Sequence, residues 1–328
     1  MRGALSFCSP AQTPGIRVSL TSRFCDVFPA RPPLISQRAQ SILRAMNAFA
    51  KKTALVTGAS AGLGVEFARQ LAPHVSTLIL TARRWDKLDA LKKELEAKHA
   101  GLVVHHYAGD LSLADTPEAL VRWTGEMGLK VDVLINNAGF GDYGPFESSD
   151  WTKVRNMISV NVMALTELTH RILPGMVERG SGTIINVASI AGLIAMPDFA
   201  VYAATKAYVC SFSDALCNEL AGTGVTVTAL CPGPVPTEFG DVAARPHSSR
   251  IFQPPAFFKV TPEKAVKDAL CGATRGSARV IPGWVVKVPM LGMEVIPPFV
   301  LRNVSGLMKA LIQGKNPKKA AENEPVAL

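Results

Sequence analysis

Cysteine pairs, acidic residues and long apolar runs are scarce in this chain, and each shortage excludes a class of protein. The six cysteines form no C-x-x-C pair, which argues against a zinc site or a disulfide framework and favours a reducing compartment. Charged residues make up 19% and apolar residues 48% of the 328 residues, so the chain is not largely disordered. Glycine and proline are present in ordinary amounts, 26 and 23 residues, which excludes collagen-like and proline-repeat proteins.

Positive charge is concentrated at the N-terminus. The net charge is +9, and residues 1–45 carry +5 of it because they hold six arginines and a single acid, Asp26. The remaining 283 residues carry only +4. A body that is so mildly basic does not favour nucleic acid as a partner.

Residues 1–45 differ in composition from the rest of the chain, with no lysine, six serines and five prolines. An Arg-rich, Ser-rich, acid-poor leader is typical of an organellar transit peptide. The alternative is a start assigned too far upstream, because Met46 begins a natural domain start. In both cases we expect 1–45 to be disordered and outside the fold. The protein is expected in the cytoplasm, or in an organelle if the leader is a transit peptide.

Short apolar runs alternate with helical patterns from residue 53 to residue 230. The predicted strands are 53–57, 76–82, 102–107, 131–135, 183–187 and 225–230. The predicted helices are 64–71, 85–99, 115–127, 150–176 and 201–220, with Asp150 as a cap and Pro174 as a kink or an end. This alternation predicts one α/β domain over 46–283, a doubly wound parallel sheet covered on both faces by helices. Ligands are then expected at the carboxyl ends of the strands.

A glycine-rich turn follows the first strand, where the chain reads T-G-A-S-A-G-L-G from Thr57 to Gly64. Glycines allow the backbone to turn sharply and approach a pyrophosphate, and the next helix presents free N–H groups at its N-terminus. The pattern predicts a dinucleotide site. The residues expected to contact the cofactor here are Gly58, Ser60, Gly62, Leu63 and Gly64.

The end of the second strand selects between NAD and NADP. An acid there would bind the ribose 2′-hydroxyl, but the chain has Arg83 and Arg84 after Ala82. A guanidinium group pairs with a 2′-phosphate, so we expect NADPH. The alternative is that both arginines are ordinary solvated charges at a helix start.

Further motifs follow in order along the chain. They are Asp110-Leu111, Asn136-Asn137-Ala138-Gly139, Asn161, Ser189, Tyr202-x-x-x-Lys206, Pro232-Gly233 and Thr237. Each is modest alone, but together they make residues 52–240 resemble the short-chain dehydrogenase/reductase family. The resemblance implies a Rossmann fold and an NADP-preferring enzyme close to the ketoacyl-thioester, hydroxysteroid and carbonyl reductases.

The resemblance also implies a catalytic tetrad of Asn161, Ser189, Tyr202 and Lys206. Tyr202 and Lys206 are four residues apart and share a helix face. We expect the Lys206 ammonium, together with the oxidised nicotinamide, to lower the pKa of the Tyr202 phenol so that it can exchange a proton with the substrate oxygen. Ser189 would hydrogen-bond the same oxygen, and Asn161 would hold a water that links Lys206 to solvent.

By the same resemblance, further residues are expected around the cofactor. Asp110 and Leu111 would lie by the adenine, the Asn136–Gly139 stretch (with Asn137 and Ala138) by the adenosine, and Thr237 with Pro232 and Gly233 by the nicotinamide. No metal site is expected, because His105 and His106 are adjacent and point to opposite sides of a strand.

Three functions remain open on these residues. The first is NADPH-dependent reduction of an apolar ketone, aldehyde or ketoacyl compound. The second is an alcohol or hydroxysteroid dehydrogenase working in the oxidative direction. The third, a non-catalytic NADP-binding sensor, is disfavoured because Tyr202 and Lys206 are both present.

Two regions outside the motifs carry predictions of their own. The loop 239–258 is either a substrate lid or a plain surface loop. Residues 284–313 are apolar but interrupted by prolines and charges, so we expect short pieces that cover the substrate, contact a membrane surface or pack on the domain, without spanning a bilayer. Residues 314–328 read as a solvated tail.

We also expect a homo-oligomer, with the interface on the long helix from Asp150 and on the helix that carries Tyr202. Apolar residues on these two helices could supply two adjacent packing faces, although some of them must face the sheet instead. They are Leu165, Leu168, Ala207, Phe212 and Leu216.

Overall fold

The computed structural model describes residues 46–245 and 259–295, with side chains up to residue 290. Four sequence predictions therefore lie wholly or largely outside the described residues. They concern the leader 1–45, most of the 239–258 loop, residues 296–313 and the tail 314–328.

Within the described residues, seven parallel strands form one sheet in the order β3-β2-β1-β4-β5-β6-β7. The strands are β1 (Thr53–Thr57), β2 (Thr77–Ala82), β3 (Val103–Ala108), β4 (Val133–Asn136), β5 (Gly182–Val187), β6 (Val225–Leu230) and β7 (Arg279–Val280). The doubly wound parallel sheet is confirmed. The strand order reverses between β1 and β4, which places a crevice at their carboxyl ends.

The helices that cover the sheet are α1 (Gly62–Leu71), α2 (Trp85–Lys98), α3 (Thr116–Glu126), α4 (Trp151–Ile158), α5 (Leu165–Glu178), α6 (Ala200–Glu219), α7 (Phe239–Ala243), α8 (Pro262–Thr274) and α9 (Trp284–Val295). Strand residues alternate between two cores because side chains alternate across a strand. Ala54 and Val56 pack in the core with α1, α2 and α8, whereas Leu55 packs in the core with α3 and α5.

The long helix predicted over 150–176 is interrupted, but not at Pro174. Asp150 caps α4 as expected, since its carboxylate accepts a hydrogen bond from the Thr152 N–H at 2.9 Å. A π-helical turn over Ser159–Ala164 then separates α4 from α5, and Pro174 lies inside α5 without ending it. Such turns inside helices often accompany functional sites, and this one carries Asn161.

The start of the apolar C-terminal region is one helix, α9, and Pro289 does not divide it as the sequence suggested. Val286 and Met290 are buried in a core cluster that also contains Val260. Trp284 and Val288, in contrast, are 78% and 63% exposed. One face of α9 therefore packs on the domain and another lies open. Across the described part of the chain, no helix has the length and apolarity needed to cross a bilayer.

Candidate active site

The glycine turn after β1 is a tight cradle that only glycine can form. Gly58 and Gly62 have φ of +66° and +54°, where glycine has little steric cost. A Cβ added to Gly64 would lie 2.2 Å from the Gly58 carbonyl oxygen. Ala61 caps α1 without a side-chain hydrogen bond, and the first turn of α1 has no acid. The turn therefore leaves room and backbone N–H donors for a pyrophosphate, so these residues fit a dinucleotide.

Thr57 and Asn137 hold this cradle against the end of β4. The Thr57 hydroxyl accepts hydrogen bonds from the Asn137 and Ala138 N–H groups, both at 2.9 Å. The Asn137 amide donates to the Thr57 carbonyl at 2.8 Å. This role of Thr57 was not predicted from the sequence, although a threonine at the end of a strand and before a glycine turn is well placed for this contact.

Asn136 does not face the cofactor side, contrary to the expectation for the Asn136–Gly139 stretch. Its side chain is buried and donates to Thr169 Oγ1 at 3.0 Å and to Asn186 Oδ1 at 2.9 Å. The reason is the alternation of the strand, which sends Asn136 and Asn137 to opposite sides. Asn136 therefore links the sheet to α5.

The two arginines after β2 have different surroundings. Arg84 is tied to the glycine turn and to the segment after β6, because its guanidinium donates to the Ser60 carbonyl at 3.1 Å and to Glu238 at 3.0 Å. Arg83 is exposed, and within the described residues no hydrogen bond or ion pair holds its side chain. Arg83 is therefore the arginine available to an incoming phosphate.

The residues after β3, at the predicted adenine site, present mainly backbone groups to the outside. Asp110 accepts a hydrogen bond from the Ser112 N–H at 2.9 Å, and the Gly109 N–H donates to the Ala82 carbonyl at 3.0 Å. The Leu111 side chain is buried in a core cluster, so only the backbone of this residue faces outward. These bonds bring the ends of β2 and β3 together, as the predicted adenine site requires.

Three of the four tetrad residues meet at the ends of β5 and α6. Lys206 Nζ donates to the Val187 carbonyl at 2.7 Å and lies 5.8 Å from the centre of the Tyr202 ring. Ser189 is near enough to the Tyr202 phenol to lower its pKa as a hydrogen-bonding neighbour, and its hydroxyl accepts from the Ala191 N–H at 3.1 Å. Ser189 is thus fixed by the turn that follows β5.

The fourth tetrad residue, Asn161, is held rigidly in the π-helical turn. Its Oδ1 accepts from the Phe140 N–H at 3.1 Å, and its Nδ2 donates to the Phe140 carbonyl at 3.0 Å and to Thr205 Oγ1 at 3.1 Å. A Cβ at Gly139 would lie 2.9 Å from Asn161 Oδ1 and 3.3 Å from Lys206 Nζ. Asn161 and Lys206 therefore converge at Gly139, and the tetrad predicted from sequence forms one group.

Burial shifts the pKa values of Tyr202 and Lys206 in opposite directions. Burial raises the pKa of Tyr202 to about 12, although the hydrogen bond with Ser189 opposes this rise. Burial lowers the pKa of Lys206 to about 8. The sequence prediction concerns Lys206 together with the oxidised nicotinamide, and it stays a prediction. In the protein by itself, the Lys206 ammonium donates to the Val187 carbonyl, and desolvation of the phenol dominates the Tyr202 pKa.

Aromatic side chains form a wall beside Tyr202 that the sequence analysis did not predict. The ring centres of Phe199 and Phe239 lie 5.4 and 5.2 Å from that of Tyr202, and Tyr143 lies 4.9 Å from Phe199. We refer to Tyr143, Phe199 and Phe239 as the aromatic wall. They lie far apart in sequence, so no local pattern could have identified them.

The segment after β6 closes the site from the other side. The Pro232 carbonyl accepts from the Ile190 N–H at 3.1 Å, and Gly233 is buried beside it. Thr237 lies over the glycine turn, because a Cβ at Gly62 would lie 3.1 Å from Thr237 Cγ2. No group of three or more His, Cys, Asp or Glu side chains in the described ranges could hold a metal ion.

Of the apolar residues named for an oligomer interface, some were expected to face the sheet, and the structure identifies two that do. Leu165 and Leu168 are buried in the cores of this chain, because they face the sheet, and cannot supply an interface. Ala207 is exposed, and Met163 and Tyr208 are 62% and 39% exposed. Phe212 and Leu216 remain partly buried.

Known proteins share both the sequence pattern and the fold. The pattern of the short chain dehydrogenase family matches residues 52–246. The chain is 40% identical over 200 residues to the sulfoacetaldehyde reductase of Chromohalobacter salexigens, covering 58% of this chain and 77% of that protein. It is 37% identical over 188 residues to the ketoacyl reductase HetN of Nostoc sp., covering 57% of this chain and 65% of that protein.

A solved structure gives the same result for the fold. A short-chain dehydrogenase from Sphingobium yanoikuyae in complex with NADPH superimposes with a TM-score of 0.65 at 30% identity, covering 79% of this chain and 95% of that one. With the family pattern, the relatives and the fold in agreement, the chain belongs to the short-chain dehydrogenase/reductase family and is an oxidoreductase.

Proposed function

We propose that this protein uses NADPH to reduce the carbonyl group of an apolar ketone, aldehyde or ketoacyl compound. The observation that carries the proposal is the position of Tyr202. Ser189 acts on the pKa of its phenol, Lys206 Nζ lies over its ring, and the aromatic wall lies beside it. A proton donor, a second hydrogen-bond donor and an apolar surface therefore meet at one point.

The glycine cradle and the ends of β2, β3 and β4 are the residues that would hold NADPH. Bound there, the cofactor supplies the hydride, and the protein supplies orientation. The free, exposed Arg83 supports a preference for the 2′-phosphate, as does the NADPH complex of the Sphingobium yanoikuyae relative. The two positions directly after β2, where an acid would bind a ribose 2′-hydroxyl, are Arg83 and Arg84.

Tyr202 acts as the general acid in this proposal. A phenol with a pKa of about 12 remains protonated at neutral pH and can donate its proton to a carbonyl oxygen as negative charge develops there. Ser189 donates a second hydrogen bond to that oxygen.

Lys206 and Asn161 support the proton donor. Lys206 carries a positive charge below a pKa of about 8, and this charge stabilises the tyrosinate left after proton donation. Asn161 is fixed by three hydrogen bonds beside Gly139, where it is positioned to order a water next to Lys206. Together they provide a route for a replacement proton.

The aromatic wall supports an apolar substrate. Phe199, Phe239 and Tyr143 lie in one cluster with Met157, Ala191 and Ala203, so a substrate carbonyl at Tyr202 would extend its neighbouring groups along apolar side chains. Such a surface binds alkyl or aryl groups by removing them from water. The named relatives reduce ketoacyl compounds and sulfoacetaldehyde, and the wall favours the former class for this chain.

A screen of carbonyl compounds tests the proposal. Purified protein is mixed with NADPH or NADH and with straight-chain aldehydes and methyl ketones of increasing length, and the loss of reduced-nicotinamide absorbance is followed. We expect kcat/KM to rise with chain length and to be higher with NADPH. No turnover with any carbonyl, or a preference for the shortest and most polar compounds, would contradict it.

A further inference from the structure

A buried ion cluster lies next to the aromatic wall. Asp142, in the loop after β4, is only 6% exposed. Arg245 binds both of its carboxylate oxygens, at 3.0 Å from Nε to Oδ1 and 2.5 Å from Nη2 to Oδ2. Lys153 of α4 approaches the same carboxylate, with Nζ 3.1 Å from Oδ1. The cluster therefore joins three separate segments of the chain.

Arg245 and Lys153 make further bonds that tighten these segments. Arg245 Nη1 donates to the Pro145 carbonyl at 2.9 Å and to Ser148 Oγ at 3.1 Å, and Lys153 Nζ donates to the Val242 carbonyl at 3.2 Å. A Cβ on Gly144 would lie 2.8 Å from Arg245 Nη1. The guanidinium thus lies flat against the loop after β4.

The backbone between the cluster and the wall is bonded across the same segments. The Tyr143 N–H donates to the Ala243 carbonyl, and the Gly144 N–H donates to the Asp198 carbonyl, both at 2.8 Å. Asp198 directly precedes Phe199 in sequence and has a φ of +64°. Each residue of the aromatic wall therefore lies within a few residues of one of these two backbone hydrogen bonds, and the ion cluster joins the same segments.

The charges of the cluster balance the cost of burial at Asp142. Burial would raise the pKa of Asp142, but hydrogen bonds from Arg245 and Lys153 outweigh it and lower the pKa. A buried charged group is expensive unless it is fully paired, and an apolar side chain of the same size would hold two loops together at less cost. What a bidentate ion pair adds is a fixed geometry.

We propose that Asp142, paired with Arg245 and Lys153, is a positioning residue that fixes the aromatic wall against Tyr202 and so determines how the substrate's apolar group is bound. The inference rests on the proposed function for its kinetic consequences, but not for its structural ones. Asp142 itself does not contact Tyr202 in any bond described above, so it acts through Tyr143 and Phe199.

The test compares the wild type with Asp142→Asn, Arg245→Met and the double variant. The control is Glu118→Gln, which removes the acid of an exposed ion pair with Arg171 between α3 and α5. Hydrogen exchange at the amides of Tyr143 and Gly144 is measured first, without cofactor or substrate. We expect faster exchange there in both single variants, unchanged exchange in the glycine turn, and no effect of the control. Unchanged exchange at both amides overturns the proposal.

Kinetics with NADPH and two aldehydes, butanal and decanal, form the second arm. Asp142→Asn should raise KM for decanal by about tenfold or more, change KM for butanal by less than about threefold, and leave NADPH affinity within about twofold. The double variant should resemble the worse single variant, because the two residues act through one pair. Equal losses for the two aldehydes, or additive losses in the double variant, overturn the proposal.

The two arms separate this inference from the proposed function. If the wild-type protein reduces neither aldehyde, the proposed function fails, and the exchange measurement alone decides the role of Asp142. If one variant does not fold, the other still carries the exchange test, since either substitution breaks the pair.

Discussion

Replacing Lys206 with methionine should inactivate the protein and yet change its stability in a way that depends on pH. Lys206 is 4% exposed. Its ammonium donates to the Val187 carbonyl, and no acid among the described residues is bonded to it. Its pKa falls from 10.5 to about 8. At 1.36 kcal/mol for each pKa unit, the folded state at neutral pH holds this charge at a cost of about 3 kcal/mol.

Methionine has a similar length and no charge, so the variant avoids that cost. It also leaves the Val187 carbonyl without its donor, which costs about 1–3 kcal/mol. At pH 7 the variant should therefore be as stable as the wild type or more stable by up to about 2 kcal/mol.

The difference should reverse as pH rises. In the unfolded chain the lysine keeps its proton up to about pH 10.5, whereas in the folded protein it loses the proton above about pH 8. Between these values the unfolded state binds more protons, so wild-type stability rises with pH. By pH 10 the wild type should gain about 2–3 kcal/mol relative to the variant, because about two pKa units of the penalty are relieved.

Urea unfolding of both proteins at pH 7, 8, 9 and 10 measures this change. Titrating groups that do not interact with Lys206 cancel in the comparison, and Cys210→Ala in both backgrounds removes the neighbouring thiol that does interact with it. Lys267→Met, which replaces an exposed lysine on α8, is the matched control and should show no trend. A free-energy difference between wild type and Lys206→Met that stays constant from pH 7 to pH 10 would refute the assignment of Lys206 as a buried, desolvated ammonium.

The other predictions concern cofactor choice, the turn after β5 that carries Ser189, the open face of α9 and the oligomer interface. Arg83→Asp should weaken NADPH binding by about tenfold or more and shift preference toward NADH, because it replaces a phosphate partner with a repelling charge; equal loss of both cofactors in fluorescence titrations would refute this. Gly192→Ala should lower kcat by about tenfold and destabilise the protein by about 1–3 kcal/mol, since its Cβ would lie 2.5 Å from the Lys206 backbone carbon; unchanged kinetics and denaturation midpoint would contradict it. Trp284→Ser should reduce co-flotation with anionic liposomes if the open face of α9 contacts a membrane; if wild-type protein does not float, that role is excluded. Sedimentation at micromolar concentration should show an oligomer that Met163→Glu dissociates, and a wild-type monomer would count against the predicted interface.

The sequence predicted the fold well because its strands are unambiguous. Buried parallel strands such as Thr53–Thr57 and Val225–Leu230 are short apolar runs bounded by turn residues, and their bounds were predicted to within one or two residues. β7 was missed because two residues, Arg279 and Val280, carry no periodicity. Pro174 misled because a proline can lie inside a helix whose neighbouring bonds are satisfied otherwise.

Part of the site could be predicted from short motifs, and part could not because its residues are distant in sequence. Tyr202, Lys206 and the glycine turn follow from short motifs, and the structure brings Ser189 and Asn161 to them. The aromatic wall and the Asp142–Arg245 pair could not be predicted, because their members lie from about forty to about a hundred residues apart in sequence and meet only in the folded chain. The rise of the Tyr202 pKa in the protein without cofactor could not be predicted either, because desolvation depends on burial, which motifs do not report.

The role of Tyr202 as proton donor is the central claim, and one substitution tests it most directly. Tyr202→Phe keeps the ring that packs against Phe199 and Phe239 and removes only the hydroxyl. We expect NADPH affinity within about twofold of wild type and carbonyl reduction slower by about a thousandfold or more, measured as single turnovers with saturating NADPH and decanal. Single-turnover rates within tenfold of wild type would contradict the account, because the proton would then come from another group.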